Sequence, residues 1–309
     1  AVVAGKLISK LKLPAILGWL IAGMIMGPHA LGLLGDSLLN AAWFNTVESV
    51  LECIVGLMIG TELIWSQMKK AGKQILVTTI TESLDTFVVV SLVFGIIFWV
   101  TDIPIYLAFL FGGIALATAP APSLSVVNEF RTSGPVTKTL IPMAALDDLV
   151  GALVFFLVMA FVSAHLSTAG IPVPVVLFLV FLPVLIGMVT GFITGKLLQH
   201  TKTRNSTLAV MLVMLLVSAG IGFFINNLLP TPVLNFMLLG MAFSTVFANM
   251  VTKEQLDGMM KVMNPVISFS LVVAILNLAA PLDYHLIFDG GMYTVVYMIS
   301  GAIGKYSGG

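Results

Sequence analysis

Ala144-Ala145-Leu146-Asp147-Asp148-Leu149-Val150 sets two adjacent carboxylates inside a run that is otherwise apolar from Leu140 to Val162. A run of that length is enough to cross a bilayer, which takes about 20 apolar residues. A charge near the bilayer centre costs roughly 2.5–3.5 kcal/mol on insertion scales, so acids placed there mark a site. The surrounding chain can be read as a cage for this pair. The 309 residues are 59% hydrophobic and only 9% charged, against about 25% charged in a soluble domain. The class is therefore an all-α, polytopic membrane protein, because irregular backbone and open sheet edges cannot face lipid.

Composition also narrows function. The formal net charge is zero, which points to no particular partner. No nucleotide loop and no nucleic-acid patch is present, so nucleic acid is not an expected partner. Nothing in the motifs points to an enzyme or to a bound cofactor. The single cysteine, Cys53, excludes an intrachain disulfide or a cysteine metal cluster and reads as a small core residue. His29, His165, His200 and His285 fall near segment ends without metal-ligand spacing.

After a stub at 1–10, ten spanning segments are expected at roughly 13–33, 45–66, 74–99, 103–130, 136–163, 171–198, 205–227, 231–250, 259–281 and 286–309. Short Pro-, Gly- and Asn-rich connections separate them, such as Thr101-Asp102-Ile103-Pro104. Thirteen of the fourteen Lys and Arg residues fall in alternate connections: Lys6, Lys10, Lys12; Lys69, Lys70, Lys73; Arg131, Lys138; Lys196, Lys202, Arg204; Lys253, Lys261. Basic residues concentrate on the cytoplasmic face, so that face is inside. The exception, Lys305, sits late in the last apolar segment and is the one basic residue expected inside the membrane.

At 1.5 Å per helical residue, Asp147 and Asp148 lie about 14 Å beyond Lys138, near the middle of a core about 30 Å thick. Lys305 approaches from the outer side, and its side chain spans the remaining distance. Neighbouring residues on a helix point about 100° apart, which follows from 3.6 residues per turn. One aspartate can therefore face Lys305 and the other a water-filled cavity. Repulsion and desolvation favour the protonated acid, while a nearby ammonium favours the ionised one. That combination suits exchange of a proton for a cation. The alternative is a static ion pair locking two helices.

A second feature is Ala117-Thr118-Ala119-Pro120-Ala121-Pro122-Ser123, mid-way along the fourth segment. Two prolines remove two backbone donors, and transporters use such breaks to aim helix ends and carbonyls at an ion. A simple kink is the alternative. Among the other acids, Glu82 and Asp85, three apart on the third segment, are candidates for proton access or pH modulation. Glu52 is a weaker candidate, and Glu62 and Glu129 are expected near the inner surface, solvated or paired with Lys70 or Arg131. Glycine spacings at Gly18 and Gly23 and at Gly187, Gly191 and Gly195 suggest close helix packing.

These stretches together resemble the monovalent cation/proton antiporter superfamily, in particular its bacterial Na+/H+ branch of the two-aspartate, electrogenic type. The resemblance rests on Leu13 to Gly23 with Gly27-Pro28, on Gly56-Leu57-Met58-Ile59-Gly60-Thr61-Glu62-Leu63, and on Ala117 to Ser123 with its exit Val126 to Leu140. It rests further on Ala145-Leu146-Asp147-Asp148 and on Gly304-Lys305. It implies a core that moves against a dimerising scaffold in an elevator-like cycle. Asp148 then corresponds to the acid that takes Na+ or a proton, Asp147 to the partner of Lys305, and Thr118 to the unwound segment beside the site. The implied organisation is scaffold over 1–66, core over 67–163, scaffold and linker over 164–258, and the start of a second core repeat over 259–309. The resemblance also implies a homodimer in a bacterial inner membrane, exchanging monovalent cations and protons and contacting lipid. Measured against that pattern, the chain is expected to lack the last two helices and most of the first, and so to transport inefficiently alone. The competing readings are a K+/H+ antiporter of the same fold, an organic-anion symporter on a related fold, and a membrane sensor or non-transporting fragment.

Overall fold

The computed structural model describes residues 2–10, 15–116, 134, 143, 146–147, 150–151, 153–155, 157–159, 161–162, 173–201, 203–229, 234–283 and 290–309. Among the described residues every regular element is a helix. The helices are Val2–Lys10, Ala15–Met26, Asp36–Leu39, Ala42–Glu62, Trp65–Val100, Tyr106–Leu116, Val173–Leu198, Arg204–Leu228, Phe236–Ala248, Lys253–Ala279 and Gly291–Gly308. The described residues between 143 and 162 are helical as well.

The chain forms two compact units, one of Ala1–Ile64 with Phe181–Ile287, the other of Trp65–Val180 with Phe288–Gly309. The first is built around the Phe236–Ala248 helix, ten of whose residues are buried. Its partner is the Ala42–Glu62 helix. A Cβ at Gly240 would sit 2.9 Å from Cα of Cys53, so only glycine allows the two backbones to touch. Cys53, Leu57, Leu239, Phe243, Phe247, Met259 and Met263 form the core around this contact. Asn235 starts the short helix by accepting from Leu238 N–H at 2.7 Å, and Asn249 ties its end to the Leu63 carbonyl at 2.9 Å. The Lys253–Ala279 helix begins with a capping box, in which Thr252 and Gln255 satisfy each other's backbone N–H groups. It packs in this first unit, against the Ala15–Met26 and Ala42–Glu62 helices. The grouping thus differs from one in which residues from 259 onward open a second core repeat.

In the second unit the Trp65–Val100 and Tyr106–Leu116 helices form a hairpin. Val100 is followed by a turn in which Asp102 takes a left-handed φ of 55° and Ile103 N–H reaches back to the Phe98 carbonyl at 2.9 Å. This is a Schellman-type helix end, with Pro104 blocking continuation. Phe94 stacks on Phe111 at 4.6 Å and meets Tyr297 edge-on, which joins the Gly291–Gly308 helix to the hairpin.

Among the described residues, five helices are long and apolar enough to cross a membrane: Ala42–Thr61, Lys73–Val100, Phe181–Leu198, Arg204–Leu228 and Lys253–Ala279. Their outward residues, such as Leu92, Ile96, Phe224 and Phe269, are exposed apolar side chains suited to lipid. Three expectations need correction. The expected span at 13–33 is helical over Ala15–Met26, because Gly27 and Pro28 open a turn. Among the described residues the one at 231–250 is helical over Phe236–Ala248, because Asn235 caps late and Asn249 closes it. The basic stretch holding Lys69 and Lys73 is no loop but part of the 36-residue Trp65–Val100 helix. Its Gln, Met, Lys and Ala residues are good helix formers.

Candidate functional site

The site lies wholly within the second unit. The Trp65–Val100 helix contributes Glu82 and Ser83, the segment around 143–162 contributes Asp147, and the Tyr106–Leu116 helix contributes the Leu116 carbonyl. The Gly291–Gly308 helix contributes Lys305. Two glycines fix how that last helix lies. A Cβ at Gly304 would come within 2.5 Å of Cα of Thr86, and one at Gly308 within 2.6 Å of Cα of Glu82. Glycine four residues apart on one helix therefore brings the backbones into contact, and Lys305 leaves the helix beside that contact.

The Lys305 ammonium has three hydrogens to donate and meets three acceptors among the described residues. These are Glu82 Oε1 at 3.0 Å, the Leu116 carbonyl at 3.0 Å and Asp147 Oδ2 at 3.2 Å. The other oxygen of Asp147 accepts from the Ser83 hydroxyl at 2.5 Å. Asp147 is 2% exposed and Ser83 is fully buried. A charge that deep requires pairing and hydrogen bonding of this kind. The Leu116 carbonyl is available for a reason written in the sequence. Its helical donor would be the N–H of residue 120, and residue 120 is a proline. The ammonium thus meets an acceptor that Pro120 leaves without its helical partner.

Glu82, expected as a proton-access or pH-modulating group, has its carboxylate on Lys305, with 12% of its side chain exposed. Asp85, expected to act with it, is directed elsewhere and accepts from the Ser307 hydroxyl. Thr81 donates to the Gly308 carbonyl at 3.0 Å, so that one face of the Trp65–Val100 helix holds the whole end of the last helix. Glu52 belongs to the other unit, where its neighbour one turn earlier, Glu48, accepts from Asn277. Asp148, Thr118, the Ala117–Ser123 break with its exit through Leu140 apart from Gly134, Glu129, Arg131, Lys138, Lys12, Lys202, His165 and His285 lie outside the described residues, as do the side chains of Glu62 and Lys70. Among the described residues no group of three or more His, Cys, Asp or Glu side chains could hold a metal ion.

Sequence reasoning overlooked two members of the site. Ser83 looks like an ordinary small residue. The available signal was its place in a buried polar stripe with Thr79 and Thr86, which recurs at helical spacing. The Leu116 carbonyl could have been found by counting back four residues from Pro120.

The sequence matches the family described as "Sodium/hydrogen exchanger, transmembrane" over residues 1–304. The fold is similar to that of the sodium proton antiporter MjNhaP1 from Methanocaldococcus jannaschii. Its structure at pH 8 gives a TM-score of 0.71 at 17% identity, covering 99% of this chain and 74% of that one. A 3D EM map of the same antiporter gives 0.60 at 20% identity, covering 90% of this chain and 66% of that one. The chain therefore spans about two thirds to three quarters of that protein's length. No curated protein sequence matches it. The chain belongs to the sodium/hydrogen exchanger family, a family of multi-pass membrane transporters rather than enzymes, and has the all-α antiporter fold.

Proposed function

We propose that this family member exchanges protons for a monovalent cation, Na+ or Li+, by alternating access. The observation that carries the reading is the Lys305 ammonium held on the buried Asp147 carboxylate at 3.2 Å. An ion pair at membrane depth is a switch when an incoming cation can compete for its acid. Asp148, the next residue in the sequence, takes either the cation or a proton. A cation bound there draws on Asp147 and displaces Lys305, with Thr118 on the unwound stretch completing the site. Two protons then return for one cation. The net charge moved is worth about 2.3 kcal/mol per 100 mV, so the membrane potential drives export. No resident cofactor is required. The unit holding the site serves as the moving core and the other as the scaffold of a homodimer in a bacterial cytoplasmic membrane.

The test is ion flux in proteoliposomes under Na+, Li+ and K+ gradients, with the protein compared to its Asp148→Asn variant. Exchange driven by Na+ or Li+ and abolished by Asp148→Asn is the expected result. Full activity in that variant overturns the assignment. Exchange driven by K+ alone identifies a K+/H+ antiporter of the same fold, and ion binding without turnover identifies a sensor.

A further inference from the structure

Among the described residues Lys305 is bound by two acids carried on different elements, Glu82 and Asp147, and the exchange cycle above uses only Asp147 of the two. We propose that Glu82 is a positioning residue that keeps the Lys305 ammonium when Asp147 surrenders it to an incoming ion, an inference that rests on the exchange reading. Nζ lies 3.0 Å from Glu82 and 3.2 Å from Asp147, so the ammonium passes from a shared position to a one-sided one by a small side-chain movement. The backbone cannot supply that movement, because Gly304 and Gly308 are already in contact with Thr86 and Glu82. An ammonium that loses a carboxylate in a low-dielectric interior is strongly penalised. With Glu82 and the Leu116 carbonyl retained, two of the three acceptors among the described residues remain. Among the described residues, the charged groups facing Lys305 are Glu82 and Asp147, with Asp85 held one turn away on Ser307.

The arrangement also explains why consecutive residues are used. Glu82 holds the cation and Ser83 holds Asp147 Oδ1 at 2.5 Å, so one turn of one helix fixes both members of the pair. When the pair separates, each member stays anchored to that turn. Without Glu82, Asp147 is the one acid left to the ammonium among the described residues, the pair tightens, and a cation must compete against it.

The experiment measures Na+ half-saturation and maximal turnover separately, in proteoliposomes, for the protein and its Glu82→Gln and Glu82→Asp variants. Asp148→Asn runs alongside as the control for exchange itself. Loss of one charge-assisted hydrogen bond in the displaced state is expected to raise half-saturation about tenfold for Glu82→Gln. Glu82→Asp is expected to fall between, at about threefold. If Asp148→Asn abolishes exchange while Glu82→Gln leaves half-saturation unchanged, with or without a fall in turnover, the role of Glu82 is overturned and exchange stands. If Glu82→Gln does not fold, Glu82→Asp decides: a half-saturation equal to that of the parent overturns the proposal. If the protein itself shows no ion-driven flux, the exchange reading fails first, and this inference with it.

Discussion

Replacing Lys305 by Met keeps most of the side chain's apolar stem and removes its charge. Two acids then face one another without their cation, with side chains only 12% and 3% exposed. Both oxygens lie near 3 Å from the vanished Nζ, so they are at most about 6 Å apart. At an effective dielectric of about 20, two unit charges at that distance repel by about 3 kcal/mol. The Leu116 carbonyl loses its partner as well, at about 1–3 kcal/mol. These contributions overlap, and removing one partner of a buried pair costs about 3–5 kcal/mol in practice. We expect Lys305→Met to be destabilised by about 4 kcal/mol, seen as a fall of about 10 °C in thermal unfolding of the detergent-solubilised protein. Adding Asp147→Asn removes one of the stranded charges and should recover at least about 1 kcal/mol, a coupling that a double-mutant cycle isolates. A Lys305→Met variant as stable as the parent refutes the three-acceptor description. So does a double variant less stable than Lys305→Met alone.

Two further predictions concern the frame of the site. Gly304→Val places a branched side chain where even a Cβ would lie 2.5 Å from the Thr86 backbone, so it should cost about 1–3 kcal/mol or more. Gly301→Ala, one turn earlier with nothing within 4 Å, should be neutral or gain up to about 1 kcal/mol; unfolding curves that rank the two alike would contradict the packing. At the hairpin turn, Asp102→Gly should relieve a left-handed φ of 55° and leave stability equal or higher, whereas Asp102→Val should lose about 1–2 kcal/mol. Equal melting temperatures for the Gly and Val variants would show that the turn does not hold that conformation.

Much of this was legible in the sequence for identifiable reasons. Membrane class followed from the scarcity of charge. The Thr101-Asp102-Ile103-Pro104 connection followed from a short break with a Pro that stops a helix, while the left-handed φ of Asp102 came from the structure. The approach of Lys305 to Asp147 followed from the one basic residue expected inside the membrane and the acid pair near its middle. What was not legible depended on distance across helices. Glu82 and Asp85 share a helix face by spacing, and only the position of the last helix assigns one to Lys305 and the other to Ser307. Hydropathy could not show that Phe236–Ala248 is too short to span, because a helix buried in protein and one buried in lipid are equally apolar. Nor could it show that Lys69 and Lys73 continue a helix, since lysine suits a helix end and a loop alike.

That short helix has a consequence for how the protein meets different membranes. Thirteen residues extend only about 20 Å, and protein covers nearly all of its surface. A bilayer that is a few ångströms thicker or thinner imposes tilt and mismatch on helices that touch lipid. This one touches almost none. Its length is set by Asn235 at one end and Asn249 at the other. The first unit is therefore built around a ruler that does not read the thickness of the bilayer, and the long outer helices tilt or stretch about a centre that keeps its own dimensions.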